Sequence, residues 1–174
     1  GDVLHKEERN TLNQLQRAIR ALGAQRGRKE LIVISEGYNR WVGSGKPSLM
    51  PEVVAMTRQA NRSRVTIHTI GTRGEQSGFK CGGDTCWTLD EMSEETGGLH
   101  FHSGSALTEG VRRIHRSAES YYALGSTMNA PPKSKDGYRV ELRSSRPGVT
   151  IRIRPRAIPR ELDDAAREAA DALS

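Results

Sequence analysis

The stretch Arg26 to Arg40, RGRKELIVISEGYNR, carries four aliphatic residues in a row, Leu31 to Ile34. Successive side chains of a strand point to opposite faces, so an unbroken apolar run puts hydrocarbon on both of them. Strands of that kind belong to parallel sheets whose two faces are covered by helices. The run is bounded by a basic turn containing Gly27 and by Ser35-Glu36-Gly37, where Gly37 lets the chain turn sharply. What a carboxylate does at the end of a buried strand is the functional question this stretch raises.

The surrounding pattern extends the same grammar. Leu12, Leu15, Ile19 and Leu22 recur at spacings of three and four, which predicts a helix over Glu7 to Leu22 with one apolar stripe. A second helix is expected over Pro51 to Arg62, with Pro51 at its first position. Arg64 to Gly71, RVTIHTIG, reads as a second strand. Thr88 followed by Glu91 forms the pattern of a capping box, predicting a short helix that ends at Gly97 and Gly98. LHFHS, from Leu99, reads as a third strand and Ala106 to Tyr122 as a further helix. Helices alternating with strands imply right-handed crossovers and a parallel, doubly wound α/β sheet.

Beyond Tyr121 the grammar changes. YYALGSTM, YRVELRSS and VTIRIRPR read as strands joined by turn-rich NAPPKSKDG and RPG, so antiparallel hairpins are expected, followed by an Ala-rich helix from Pro159 to Leu173. No internal repeat is present.

Composition narrows the classes. A chain of 174 residues suits one compact domain. No apolar run reaches the roughly 20 residues of a spanning helix. The net charge is +6, and Arg139 to Arg160 holds seven arginines against Glu141. Such a stripe suits a polyanion in principle, but without aromatic platforms or a recognition helix it reads as a solvated strand face, and nucleic acid is not expected as a partner. Cys81 and Cys86, the only cysteines, lie in CGGDTC and suit either a small disulfide or half of a metal site. Gly1 to Lys6 has no signal-peptide pattern, so either the protein is cytoplasmic or its true N-terminus lies elsewhere.

Taken in order, TLNQLQRAIRALGAQRGRKELIVISEGYN, RVTIHTIG, MSEETGGLHF and ESYYALGSTM…DGYRVELRSSRPGVTIRIRPR resemble the later portion of a von Willebrand factor type A domain, in the bacterial exported subgroup. The resemblance spans roughly residues 7 to 156. It implies a doubly wound, Rossmann-type sheet that binds ligands outside the carboxyl ends of its strands. The expected organisation is an α/β domain lacking its first strand or strands over 1–128, an antiparallel β extension of it over 129–158, and a C-terminal helix or linker over 159–174. The missing first strands are expected to reflect a fragment of a longer protein.

The family's metal-ion-dependent adhesion site uses a D-x-S-x-S loop, a Thr from a second loop and an Asp at the end of a later strand. By resemblance Glu36 stands at the place of that Asp and Thr11 near that of the Thr, while no Asp of the chain begins a D-x-S-x-S. Mg²⁺ or another divalent cation is therefore expected only if residues outside the chain supply that loop, because Mg²⁺ demands near-octahedral oxygen ligation. The ligand-facing loops are expected to carry Tyr38, Asn39, Trp41 and Trp87. The expected function is protein interaction or adhesion by an extracellular or periplasmic protein, without enzymatic activity and with a protein ligand.

Two alternatives come from the residues. His100 and His102 alternate along a strand and share a face, and with Cys81, Cys86 or His68 they would suit tetrahedral zinc in a metal-dependent enzyme. The arginine hairpins would suit a polyanion. Ser35 lacks a G-x-S-x-G elbow and GAQRGRK lacks the P-loop pattern, so these are read as a strand-end hydrogen-bonding residue and a plain turn.

Overall fold

A computed structural model of the chain describes residues 2–38, 49–72, 84–102, 107–119, 121–122, 124 and 137–157, with backbone alone at 2–5, 84–86 and 157. The elements run α1 (Asp2–Gly23), β1 (Lys29–Ser35), α2 (Met50–Arg62), β2 (Val65–Gly71), α3 (Asp84–Thr96), β3 (His100–Phe101), α4 (Leu107–Glu119), β4 (Tyr138–Arg139) and β5 (Arg156–Ala157). β1, β2 and β3 form a three-stranded parallel sheet in that order. It is flanked by helices, an α/β arrangement consistent with a Rossmann-like fold.

The register fixes which residues share a face. Leu31 pairs with Ile67 and Val33 with Thr69, whereas Ile32 pairs with His68 and Ile34 with Ile70. On the first face Val33, Val65 and Ile67 pack with Leu12 and Ile19 of α1, Val53, Met56 and Ala60 of α2, and Leu89 and Met92 of α3. Hydrogen bonds weld these layers. Thr96 Oγ1 accepts from the Ile67 N–H at 2.9 Å and donates back to Met92 O at 2.8 Å, and Asn61 Nδ2 donates to Glu95 O at 2.8 Å. The helix end predicted at Gly97 and Gly98 is present. A Cβ on Gly98 would run into the Ile67 carbonyl, so only glycine lets the chain pass that close to β2.

The second face is covered over part of its width. Ile70 and Phe101 pack against Ile114 of α4, which approaches closely because Gly110 sets its backbone against the Phe101 ring at 3.2 Å from a notional Cβ. Over β1 the covering ends: Ile32 is 38% and Ile34 55% exposed. Among the described residues β1 is also the edge strand, paired on one side only. The expectation that Leu31 to Ile34 is buried on both faces is therefore corrected. The apolar run is real, but half of it lacks a covering layer among the described residues.

Three further differences have local causes. α3 begins at Asp84, so Thr88 lies inside the helix rather than capping it, and its hydroxyl serves a distant backbone segment. The third strand is the pair His100–Phe101 alone. The antiparallel extension is present as β4 against β5, with Tyr138 opposite Ala157 and Arg139 opposite Arg156. It is far shorter than the alternating sequence implies, and Leu142, Val149 and Ile151 stand exposed, with no sheet face to receive them among the described residues. The arginine stripe is partly structural: Arg154 donates to Arg64 O at 2.6 Å and to Thr66 Oγ1 at 3.0 Å. Arg156 pairs with Glu95 at 3.2 Å. The expected C-terminal helix over 159–173 and the strand YYALGSTM, apart from residues 121, 122 and 124, lie outside the described residues.

Candidate functional site

The carboxyl ends of the strands converge. Thr72 N–H donates to Ser35 O at 3.0 Å, extending the β1–β2 ladder one residue past the end of β2, and a Cβ on Gly71 would stand 3.2 Å from His102 O. Ser35 Oγ accepts from the Gly37 N–H at 3.1 Å, and Gly37 takes a φ of 92°, a left-handed conformation that suits glycine. Ser35 thus has the local hydrogen-bonding role expected of it, and Glu36 beside it is exposed on this rim.

Of the predicted ligand-loop residues, the structure separates Tyr38 from Trp87. Tyr38 is buried with Leu12 and Leu89 in the core, so it is a structural residue and not a ligand contact. Burial raises its phenol pKa above the ordinary value, with the Ser35 hydroxyl opposing the shift. Its backbone is clamped to α3: Thr88 Oγ1 accepts from Tyr38 N–H at 3.0 Å and donates to Tyr38 O at 3.1 Å. Trp87, next to that clamp, is 58% exposed. A large apolar ring is therefore held on the rim by a rigid support. Asn39, Trp41 and Cys81 lie outside the described residues, as does the side chain of Cys86.

The two residues assigned to a cation by resemblance are not built into a site here. Thr11 is an exposed helical residue whose hydroxyl donates to Glu7 O at 3.0 Å. No cluster of three or more His, Cys, Asp or Glu is present among the described residues. Mg²⁺ needs about six oxygens in near-octahedral array, several of them from water. One exposed carboxylate and a helix-bonded hydroxyl do not by themselves fit it.

The histidines fall in two places. His100 and His102 meet at the carboxyl end of β3, with His100 Nε2 3.1 Å from His102 Nδ1 and the rings nearly perpendicular. Burial, then the neighbouring His102, lowers the His100 pKa. His68 cannot join them, because it alternates with Thr69, the register partner of His100, and so faces the other side of the sheet.

That other side holds a polar network that sequence reasoning missed. His68 is 1% exposed and its Nδ1 accepts from the Leu99 N–H at 3.0 Å, which leaves the proton on Nε2. Nε2 faces Glu30 Oε2 at 3.7 Å, beyond hydrogen-bond reach, and has no hydrogen-bond partner among the described residues. Burial outweighs that carboxylate and lowers the His68 pKa. Arg28 pairs with Glu30 at 2.6 Å and lies over the Tyr121 ring at 5.0 Å. Arg152 is lowered by partial burial and then by Arg113 and Arg28, and Arg154 is pushed down to about 10, mainly by burial, so it stays charged at neutral pH. Arg28 and Arg154 thus act with Glu30, and Arg28 and Arg152 with His68, so positive charge gathers on this face of the sheet. The only sequence signal was the polar Glu30 and His68 interrupting otherwise apolar strands.

Among the described residues no helix is long and apolar enough to cross a membrane. Comparison of the chain with protein-family models, curated proteins and solved structures returns no match.

Proposed function

We propose that the chain is a protein-interaction module of a bacterial exported protein, built on a von Willebrand A-like sheet. The observation that carries this reading is the side of β1 left open among the described residues. A parallel sheet ordinarily has both faces covered, and a strand edge with unpaired N–H and C=O groups is a template for an added strand. Here that edge coincides with exposed Ile32 and Ile34. The partner is polypeptide, because only a backbone satisfies an open ladder and hydrocarbon together. It is acidic, because Arg28 and Arg152 lie near enough to His68 on this face to act on it as neighbouring positive charges. Like charge disfavours a second copy.

Photo-crosslinking tests this. A benzophenone amino acid placed at position 32 or 34 is expected to capture the same partner from the periplasmic or secreted fraction. The same probe at the exposed position 112 of α4 is expected to capture nothing. Equal capture from all three positions, or none from 32 and 34, overturns the reading.

A further inference from the structure

Thr69 is wholly buried on β2, and its hydroxyl makes two contacts: it lies 3.0 Å from Leu89 O and 2.7 Å from His100 Nδ1. A carbonyl only accepts, and a hydroxyl has a single proton. Both contacts are hydrogen bonds only if the hydroxyl donates to Leu89 O and accepts from a protonated His100 Nδ1. That fixes the tautomer of His100, and its Nε2 presents a lone pair towards His102 Nδ1, 3.1 Å away. A partner that holds one ring nitrogen by hydrogen bond and leaves the other to coordinate is the usual support of a metal-binding histidine.

The spacing is that of an N–H···N hydrogen bond and is also within the span of two ligands of one ion, reached by a turn of the exposed His102 ring. With metal–nitrogen bonds of about 2.0–2.1 Å, two ligands of one cation stand about 2.9 Å apart at a right angle and about 3.3 Å at the tetrahedral angle. The observed 3.1 Å falls between them. His102 is exposed at the carboxyl-end rim. Asp90 of α3 acts on His100 as a nearby negative charge and favours a cation there.

The geometry points to a two-histidine site, His100 Nε2 with His102 Nδ1, for a borderline-soft divalent cation such as Cu²⁺ or Zn²⁺, its outer positions taken by water or a ligand carboxylate. The ion replaces the nitrogen–nitrogen contact, and the Thr69 to Leu89 relay holds His100 in the binding tautomer. Nitrogen ligation selects Cu²⁺ over Zn²⁺ and both over Mg²⁺.

Calorimetric titration of the full chain with CuCl₂, ZnCl₂ and MgCl₂ tests the site, using a Cys81→Ser/Cys86→Ser background so that thiolates do not contribute. One equivalent of Cu²⁺ is expected with micromolar affinity, Zn²⁺ more weakly and Mg²⁺ not at all. His102→Ala, a change at an exposed position, is expected to weaken Cu²⁺ at least tenfold. In the metal-free chain, nitrogen NMR is expected to show His100 protonated at Nδ1. Unchanged Cu²⁺ affinity in His102→Ala, no binding of Cu²⁺ in the cysteine-free background, or a His100 proton on Nε2 overturns the proposal.

Discussion

The two faces of the sheet use the same strand for opposite ends. From Leu31 to Ile34 the residues are alike in hydrophobicity, yet Leu31 and Val33 pack under α1, α2 and α3, while Ile32 and Ile34 meet no covering layer among the described residues. On the covered face buried polar groups are mostly bonded, as with Thr69 and Thr96, while Asn61 Oδ1 finds no partner among the described residues. On the open face they gather: Glu30, His68, Thr66 and the arginines from distant segments. Stability resides on the first face and unsatisfied capacity for contact on the second. An apolar run therefore shows that a strand is suited to burial, and only the neighbouring layers decide whether this chain completes it.

The largest break in the comparison is expected from truncating the covered side. Ile67→Ala removes a fully buried side chain from the larger core cluster and should cost about 3–4 kcal/mol, read as a shift in the denaturant midpoint at constant slope. A cost below about 1 kcal/mol would mean that this face is not the core.

Arg154→Met is expected to cost about 2 kcal/mol. It deletes the charged donor to Arg64 O and Thr66 Oγ1, which ties residues 149–157 to the base of β2. Thermal unfolding should show the loss, and retention of full stability would make the arginine decorative.

Acid should act through the open face. His68 has a folded-state pKa below its ordinary 6.5, chiefly through burial. Above that value the histidine is neutral in both states and contributes no pH dependence. Below it the unfolded chain binds a proton that the folded chain resists, so stability falls as pH drops from about 6.5 towards the lower folded value. His100, on the opposite side of the sheet and lowered in the same direction, adds to the slope. A melting temperature lower at pH 5.5 than at pH 7.5, with the difference reduced in His68→Gln, is the expected result. An identical difference in the variant would assign the slope elsewhere.

The smallest effect on folding should come from Ile34→Thr on the exposed side, within about 0.5 kcal/mol of the parent. Its effect on partner capture should be large. That contrast with Ile67 separates a contact surface from a core.

The order of elements was legible because each carries its own period: the α1 stripe, the LIVI and VTIHTI runs, and the paired glycines after α3. The same-face placement of His100 and His102 followed from strand alternation alone. What could not be read was decided by partners distant in sequence. Thr88 looked like a helix cap, but its hydroxyl is taken by Tyr38, fifty residues away. Tyr38 looked like a ligand contact, but the turn at Gly37 carries it into the core. Nothing local to Thr69 indicates that it orients a histidine on the neighbouring strand, and nothing local to Arg154 indicates that it reaches Thr66.

Amide hydrogen exchange across Lys29 to Ser35, measured on the chain alone and on its crosslink-identified complex, tests the claim about β1 most directly. The outward-pointing, alternate amides of β1 should exchange quickly in the free chain and become protected in the complex, while the amides of β2 stay slow in both. Uniform protection of β1 in the free chain, or no gain in protection on binding, would contradict a partner that completes the sheet.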